Sequence, residues 1–158
     1  MFLNWNDDWI EYAHNLVEAV KSKSHCPRRK VGAVIMDDDH NILATGYNGV
    51  PRKFPHCDIC YGGERISGHG LDKLPCLHAE ENAIMRTRPG ERENSVMFVS
   101  VTPCNVCLKT IIQSGIPVVY AFEMYHMDGE DEKLRLYLLE NAKENGFRLI
   151  LHKGGLVL

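Results

Sequence analysis

The chain predicts an α/β fold with a central, five-stranded mixed sheet. Three observations carry that expectation. Short apolar runs of strand length alternate with longer stretches of helical periodicity along the whole chain. The first two apolar runs are separated by the polar stretch Asp37-Asp38-Asp39-His40-Asn41, a turn that makes them a hairpin. Each later strand is divided from the next by a helical stretch, the arrangement of a crossover connection.

Residues 7–22 read as the first helix. Trp9, Ile10, Ala13, Leu16, Val17 and Val20 fall on one stripe, and Asn6 or Asp7 can cap the exposed amides. His14, on or beside this helix, reads as surface or packing. Cys26-Pro27 turns the chain. Val31–Met36 and Ile42–Tyr47 are the hairpin strands. Residues 48–76 lose all periodicity and form a long irregular insertion, a length that in a compact domain is usually functional or tied down. A helix is expected from His78 to about Arg86, ended near Pro89-Gly90, then a strand over Val96–Val101 and a helix over Val106–Ser114. Val118–Phe122 is the next strand. Glu130–Glu144 is helical with Leu134, Leu138 and Leu139 on its buried stripe, Asn145-Gly146 ends it, and Phe147–Leu151 is the last strand.

A chain of 158 residues fits one domain, 1–158, with a substantial core. The formal charge of −3 speaks against a broad nucleic-acid footprint. There is no apolar run of membrane-spanning length, and the N-terminus lacks a basic signal-peptide start. A cytoplasmic setting follows, in which the six cysteines serve as thiols or metal ligands rather than disulfides.

The chemistry concentrates in Leu77-His78-Ala79-Glu80-Glu81-Asn82-Ala83-Ile84 and in Pro103-Cys104-Asn105-Val106-Cys107. A catalytic zinc takes three protein ligands, imidazole or thiolate, and keeps a position open. His78, Cys104 and Cys107 supply such a set, each half opening a helix whose first amides favour an anionic thiolate. Glu80 stands two residues beyond the histidine, placed to move protons without being a ligand. Alone, the Cys-x-x-Cys pair also fits a redox couple or a structural zinc ribbon. In this order and combination the two halves form the H-x-E…P-C-x-x-C signature of zinc nucleobase deaminases.

Four segments together resemble the deoxycytidylate (dCMP) deaminases of the cytidine-deaminase-like superfamily: Cys26–Val34, Gly46-Tyr47-Asn48-Gly49-Val50-Pro51, His78–Ile84 and Pro103–Cys107. The likeness runs on through Ile111–Ile116 into Tyr125-His126 and covers roughly residues 9–150. It implies a three-layer α/β/α cytidine deaminase-like fold and a hydrolase that converts dCMP to dUMP and ammonia for thymidylate synthesis. It implies zinc at His78, Cys104 and Cys107, with Glu80 carrying protons to N3 and to the leaving amine. Ala79, Thr102 and Pro103 would surround the pyrimidine. Asn48 would bond the sugar, or is simply a turn residue before Gly49. Tyr125 would close over the nucleotide, or is a core residue at a strand end. The 5′-phosphate candidates are Arg28, Arg29, Lys30, Arg52, Lys53, Arg86 and Arg88, and Pro89 after Arg88 departs from the family pattern.

Some members of that family carry a second zinc. Here Cys26, Cys57 and Cys76 hold similar positions, with Cys60 as the fourth ligand and His56 or His69 as alternates; the other reading is reduced, partly buried thiols. The resemblance further implies a homohexamer activated by dCTP and inhibited by dTTP, Mg2+ accompanying the triphosphate. Its effector site would use Arg28, Arg29, Lys30, Asn48, Gly49, Arg52 and Lys53. No membrane and no nucleic-acid polymer is expected as partner. Two other functions stay open at this point: a deaminase of other pyrimidine nucleotides or of a base in RNA or DNA, and a zinc-stabilised nucleotide-binding module without chemistry.

Overall fold

The computed structural model describes residues 5–57, 74–153 and 155–156. Helix α1 (Asp7–Lys21) opens where Asn6 Oδ1 accepts a hydrogen bond from the Trp9 amide at 3.1 Å, with Asp7 and Asp8 in the first turn. Strands β1 (Gly32–Asp37) and β2 (Ile42–Tyr47) form the expected hairpin. Its turn is closed by the Asp37 carboxylate, which accepts from the Asp39 and Asn41 amides and from Asn41 Nδ2. Helix α2 (Ala79–Ile84) is shorter than expected, and Pro89–Arg92 forms a separate short helix, α3. Then follow β3 (Ser95–Val101), α4 (Asn105–Ser114), β4 (Val118–Glu123), α5 (Gly129–Glu144), β5 (Arg148–Leu151) and a two-residue strand β6 (Gly155–Leu156).

The sheet order is β2-β1-β3-β4-β5-β6. The first two pairings are antiparallel, β3·β4 and β4·β5 are parallel, and β6 adds an antiparallel edge that the sequence did not announce. The mixed five-stranded sheet is therefore present, extended by this short edge. Parallel neighbours require crossovers, and α4 and α5 are those crossovers.

Period-two alternation divides the sheet into two dry faces. Val34, Met36, Val96, Phe98, Val118 and Tyr120 pack with Trp5, Ala13 and Val17 on the α1 side. Ala33, Ile35, Met97, Val99, Val119 and Ala121 pack with Ala79, Ala83, Cys107, Leu108 and Leu139 on the side of α2, α4 and α5. The result is three layers, α/β/α. On α1, Trp9 leaves the predicted core stripe: it is exposed and stacks on His40 at 3.9 Å. On α5, Leu134 is exposed and its neighbour Arg135 takes the buried place. Helix α2 lies so close to β2 that a Cβ on Gly46 would overlap the Ala79 carbonyl oxygen. Among the described residues, no helix is long and apolar enough to cross a membrane.

Candidate active site

Two helix starts meet on one side of the sheet. His78 is the N-cap of α2, and its backbone amide donates to the Glu81 carboxylate at 2.8 Å, which fixes where the helix begins. Reciprocal hydrogen bonds between Gly49 and Leu77 tie this start to the exit of β2. Cys104 is the N-cap of α4, reached from β3 through Thr102 and Pro103, both buried. The His78 Nδ1 atom lies 3.2 Å from Cys107 Sγ and 3.5 Å from Cys104 Sγ. All three donor atoms fall within 4.8 Å of one another, the one such trio among the described residues.

The donor set fits zinc. Tetrahedral zinc with ordinary Zn–N and Zn–S bonds separates those donors by about 3.6 Å, close to what is observed. Electrostatics agree. A hydrogen bond from the Cys107 thiol, with help from His78, holds Cys104 down at about 4. The same hydrogen bond, together with burial, pushes Cys107 well above the ordinary thiol range. His78 is raised to about 9 by its hydrogen bond to Cys104, against the opposing effect of burial. Without a cation the trio therefore carries a proton on the imidazole beside a thiolate, a position a divalent cation can take over.

Glu80 points into the same region and is 4% exposed. Burial, reinforced by the negative Cys104, pushes its carboxyl up to about 7. A carboxyl so tuned can accept and return a proton near neutral pH.

The other predicted residues are placed as follows. Ala79 is buried in the first turn of α2. Asn48 braces the 24–31 loop: Oδ1 accepts from the Val31 amide and the Ser24 hydroxyl, both at 2.8 Å, and Nδ2 donates to the Arg29 carbonyl at 2.8 Å. Tyr125 is half-buried, its amide donating to Thr102 Oγ1 at 2.7 Å, and the Arg29 guanidinium stands 5.7 Å from its ring centre. Arg29 also pairs with Glu123 at 3.5 Å. Asn48, Gly49, Arg52 and Lys53 line a cavity of about 580 Å³ that Cys26, His56, Cys57, Cys76 and Arg86 share. Arg28, Arg29 and Lys30 are not in its wall, so the predicted effector set is divided. Arg86 donates to the Thr45 carbonyl at 2.7 Å, while Arg88 is exposed beside Glu91. Cys26, Cys57 and Cys76 do not converge as the His78 trio does, and Cys60 and His69 lie outside the described residues. Sequence reasoning missed Glu81, whose spacing three residues from His78 is a readable capping signal, and Arg135, for which no signal existed.

The fold and the site define the class: an α/β/α protein with a candidate zinc position and a buried carboxyl, Glu80, beside it. Over residues 5–123 the sequence matches the family described as the cytidine and deoxycytidylate deaminase zinc-binding region, and the chain belongs to that family. Human deoxycytidylate deaminase is 34% identical over 149 residues, covering 92% of this chain and 82% of the human protein. The deoxycytidylate deaminase of Saccharomyces cerevisiae is 36% identical over 142 residues, covering 85% of this chain. The chain spans 42% of that protein's length and 40% of the Schizosaccharomyces pombe relative's. Among solved structures, dCMP deaminase from the cyanophage S-TIM5 in complex with dCMP and dUMP superposes with a TM-score of 0.70 at 25% identity, covering 93% of this chain and 98% of that one.

Proposed function

We propose that the protein hydrolyses dCMP to dUMP and ammonia. The observation that carries this reading is the buried Glu80 beside the converging His78, Cys104 and Cys107 donors. Zinc held by those three side chains would supply the Lewis acidity that makes water a nucleophile near neutral pH. Glu80 takes a proton from the attacking water and delivers it to N3 of cytosine as the C4–O bond forms. It then carries the water's second proton to the exocyclic nitrogen, the C4–N bond breaks, and ammonia leaves. One water is consumed for each ammonia released. A carboxyl held near 7 serves both directions of transfer.

Ala79, Thr102 and Pro103 form the pyrimidine wall in this reading. Asn48 reaches the sugar with the Nδ2 proton that its bond to Arg29 leaves over, and Tyr125 covers the nucleotide. Arg29, standing over Tyr125, is the phosphate cation this geometry favours, with Arg28 beside it in sequence. Residues 1–158 act as one deaminase domain interrupted by the insertion at about 48–76. A second, structural zinc at Cys26, Cys57 and Cys76 with Cys60 would have to draw together thiols that do not converge here; that the first three share a cavity wall is what supports it. The same cavity, with Asn48, Gly49, Arg52 and Lys53 in its wall, takes a triphosphate: dCTP with Mg2+ as activator, dTTP as inhibitor. On the strength of the family likeness, the assembly is a cytoplasmic homohexamer that feeds thymidylate synthesis.

The test is a turnover panel on dCMP, CMP, deoxycytidine and a cytosine-containing oligonucleotide. Release of ammonia from dCMP well above the others supports the reading, and preference for the nucleoside or the oligonucleotide overturns it.

A further inference from the structure

Arg135 is a charged side chain in a place where charge is rare: it is 2% exposed, on α5. Burying a guanidinium is unfavourable unless its protons are bonded. Its Nη1 donates to the Tyr125 carbonyl at 2.9 Å and approaches Met124 Sδ at 3.9 Å. Nη2 donates to the Pro103 carbonyl at 3.4 Å. The carboxylate of Glu132 is 3.6 Å away and itself 39% exposed, so main-chain carbonyls carry much of the compensation. The buried Nε has no hydrogen-bond partner among the described residues. Packing alone would be served better by leucine, the residue at positions 134, 136, 138 and 139 of the same helix.

The two carbonyls belong to different loops. Pro103 leads from β3 into the metal ligand Cys104, and Tyr125 follows β4. Thr102 already joins these loops: its amide donates to the Glu123 carbonyl at 2.8 Å, and its Oγ1 accepts from the Tyr125 amide at 2.7 Å. Arg135 holds the other end of the same residue, the Tyr125 carbonyl. Tyr125 is thus fixed through both its N–H and its C=O, while its ring faces the Arg29 guanidinium. A lysine offers one point of charge and cannot span two carbonyls in fixed planar geometry, whereas the guanidinium fork can.

We propose that Arg135 is a positioning residue for the nucleotide: by bridging the Tyr125 and Pro103 carbonyls it sets the Tyr125 ring against the Cys104 turn, and it acts on substrate through Tyr125. The substrate named in its test rests on the dCMP reading. The polar contacts of its side chain among the described residues are these two carbonyls, Met124 Sδ and the Glu132 carboxylate.

The experiment uses the zinc-loaded full chain in a double-mutant cycle of Arg135→Met with Tyr125→Ala. Arg135→Met is expected to raise KM for dCMP about tenfold with kcat changed less than about threefold. The double variant should then show the KM of Tyr125→Ala alone, within about twofold, because both changes remove one device. An unchanged KM in Arg135→Met, or increases that multiply in the double variant, overturns the proposal. Amide hydrogen exchange gives a second readout that needs no substrate. Segments 102–105 and 123–127 should exchange faster in Arg135→Met, with 137–144 unchanged. Unaltered protection in both segments, or loss of protection across the whole of α5, overturns the positioning role. Should Arg135→Met not fold, Arg135→Lys keeps charge and stem and is read in the same two ways. A wild-type protein that leaves dCMP untouched would sink the dCMP reading, and the exchange result still decides the role of Arg135.

Discussion

Gly46 of β2 and Ala79 of α2 are packed backbone to backbone, with no room for a single methyl between them: a Cβ on Gly46 would overlap the Ala79 carbonyl and come within 2.5 Å of the Ala83 amide nitrogen. Because Ala79 lies between His78 and Glu80, this contact sets the height of both side chains over the sheet. Gly46→Ala is expected to destabilise the protein by about 1–3 kcal/mol, the usual range for overpacking. At about 2–4 °C per kcal/mol, thermal melting should show a drop of several degrees. Turnover should fall more steeply than stability, since α2 must shift. An unchanged melting temperature with full activity would mean that the contact does not position the site.

Zinc binding should release protons and strengthen as pH rises. At pH 7 the metal-free His78, raised to about 9, holds a proton, and so does Cys107, raised well above the thiol range. Cys104, lowered to about 4, has none to lose. One proton from His78 and one from Cys107 give about two per zinc, so the apparent affinity should climb about a hundredfold per pH unit near neutrality. Calorimetry in buffers of different ionisation enthalpy reads this number directly. A value near zero would mean that the metal-free trio is already deprotonated.

Metal content distinguishes one site from two. Freshly purified, active protein should contain two zinc ions per chain, and Cys26→Ser should lower the count to one. The loss should appear as lowered thermal stability while the ligands of the first site stay loaded. One zinc per chain in fully active protein would leave Cys26, Cys57 and Cys76 as thiols.

Regulation is testable through Arg52 and Lys53, which line the proposed triphosphate cavity. Wild-type kinetics in dCMP should be sigmoidal and become hyperbolic with dCTP, with dTTP acting in the opposite sense. A tenfold preference of dCTP for the active state needs about 1.4 kcal/mol per site. Arg52→Ala with Lys53→Ala should remove the dCTP response and leave turnover at saturating dCMP within about twofold. Hyperbolic wild-type kinetics, indifferent to both triphosphates, would show chemistry without a switch.

What could be read in advance follows from what leaves a local pattern. The apolar run Val96–Val101 and the polar turn Asp37–Asn41 are local signals, and both elements stand where those signals put them. His78 and Cys104 were legible as candidate ligands because each sits at the start of an apolar helical run, and the structure brings these starts together. Long-range relations were not legible. The Leu134, Leu138, Leu139 stripe was drawn from hydrophobicity, which cannot foresee that Arg135 finds two carbonyls from distant loops and so takes the buried place. The close approach of Gly46 to α2 is equally invisible, since glycine in a strand carries no mark of its neighbour. β6, two residues long, has no periodicity to read.

In the proposed reaction Glu80 moves the protons of dCMP hydrolysis at a zinc site it does not build. The most direct measurement compares dUMP formation by wild-type and Glu80→Gln proteins at matched zinc content. The wild type should convert dCMP rapidly, and Glu80→Gln should be slower by about 10²–10⁴-fold with zinc retained. Near-normal turnover by zinc-loaded Glu80→Gln would contradict it.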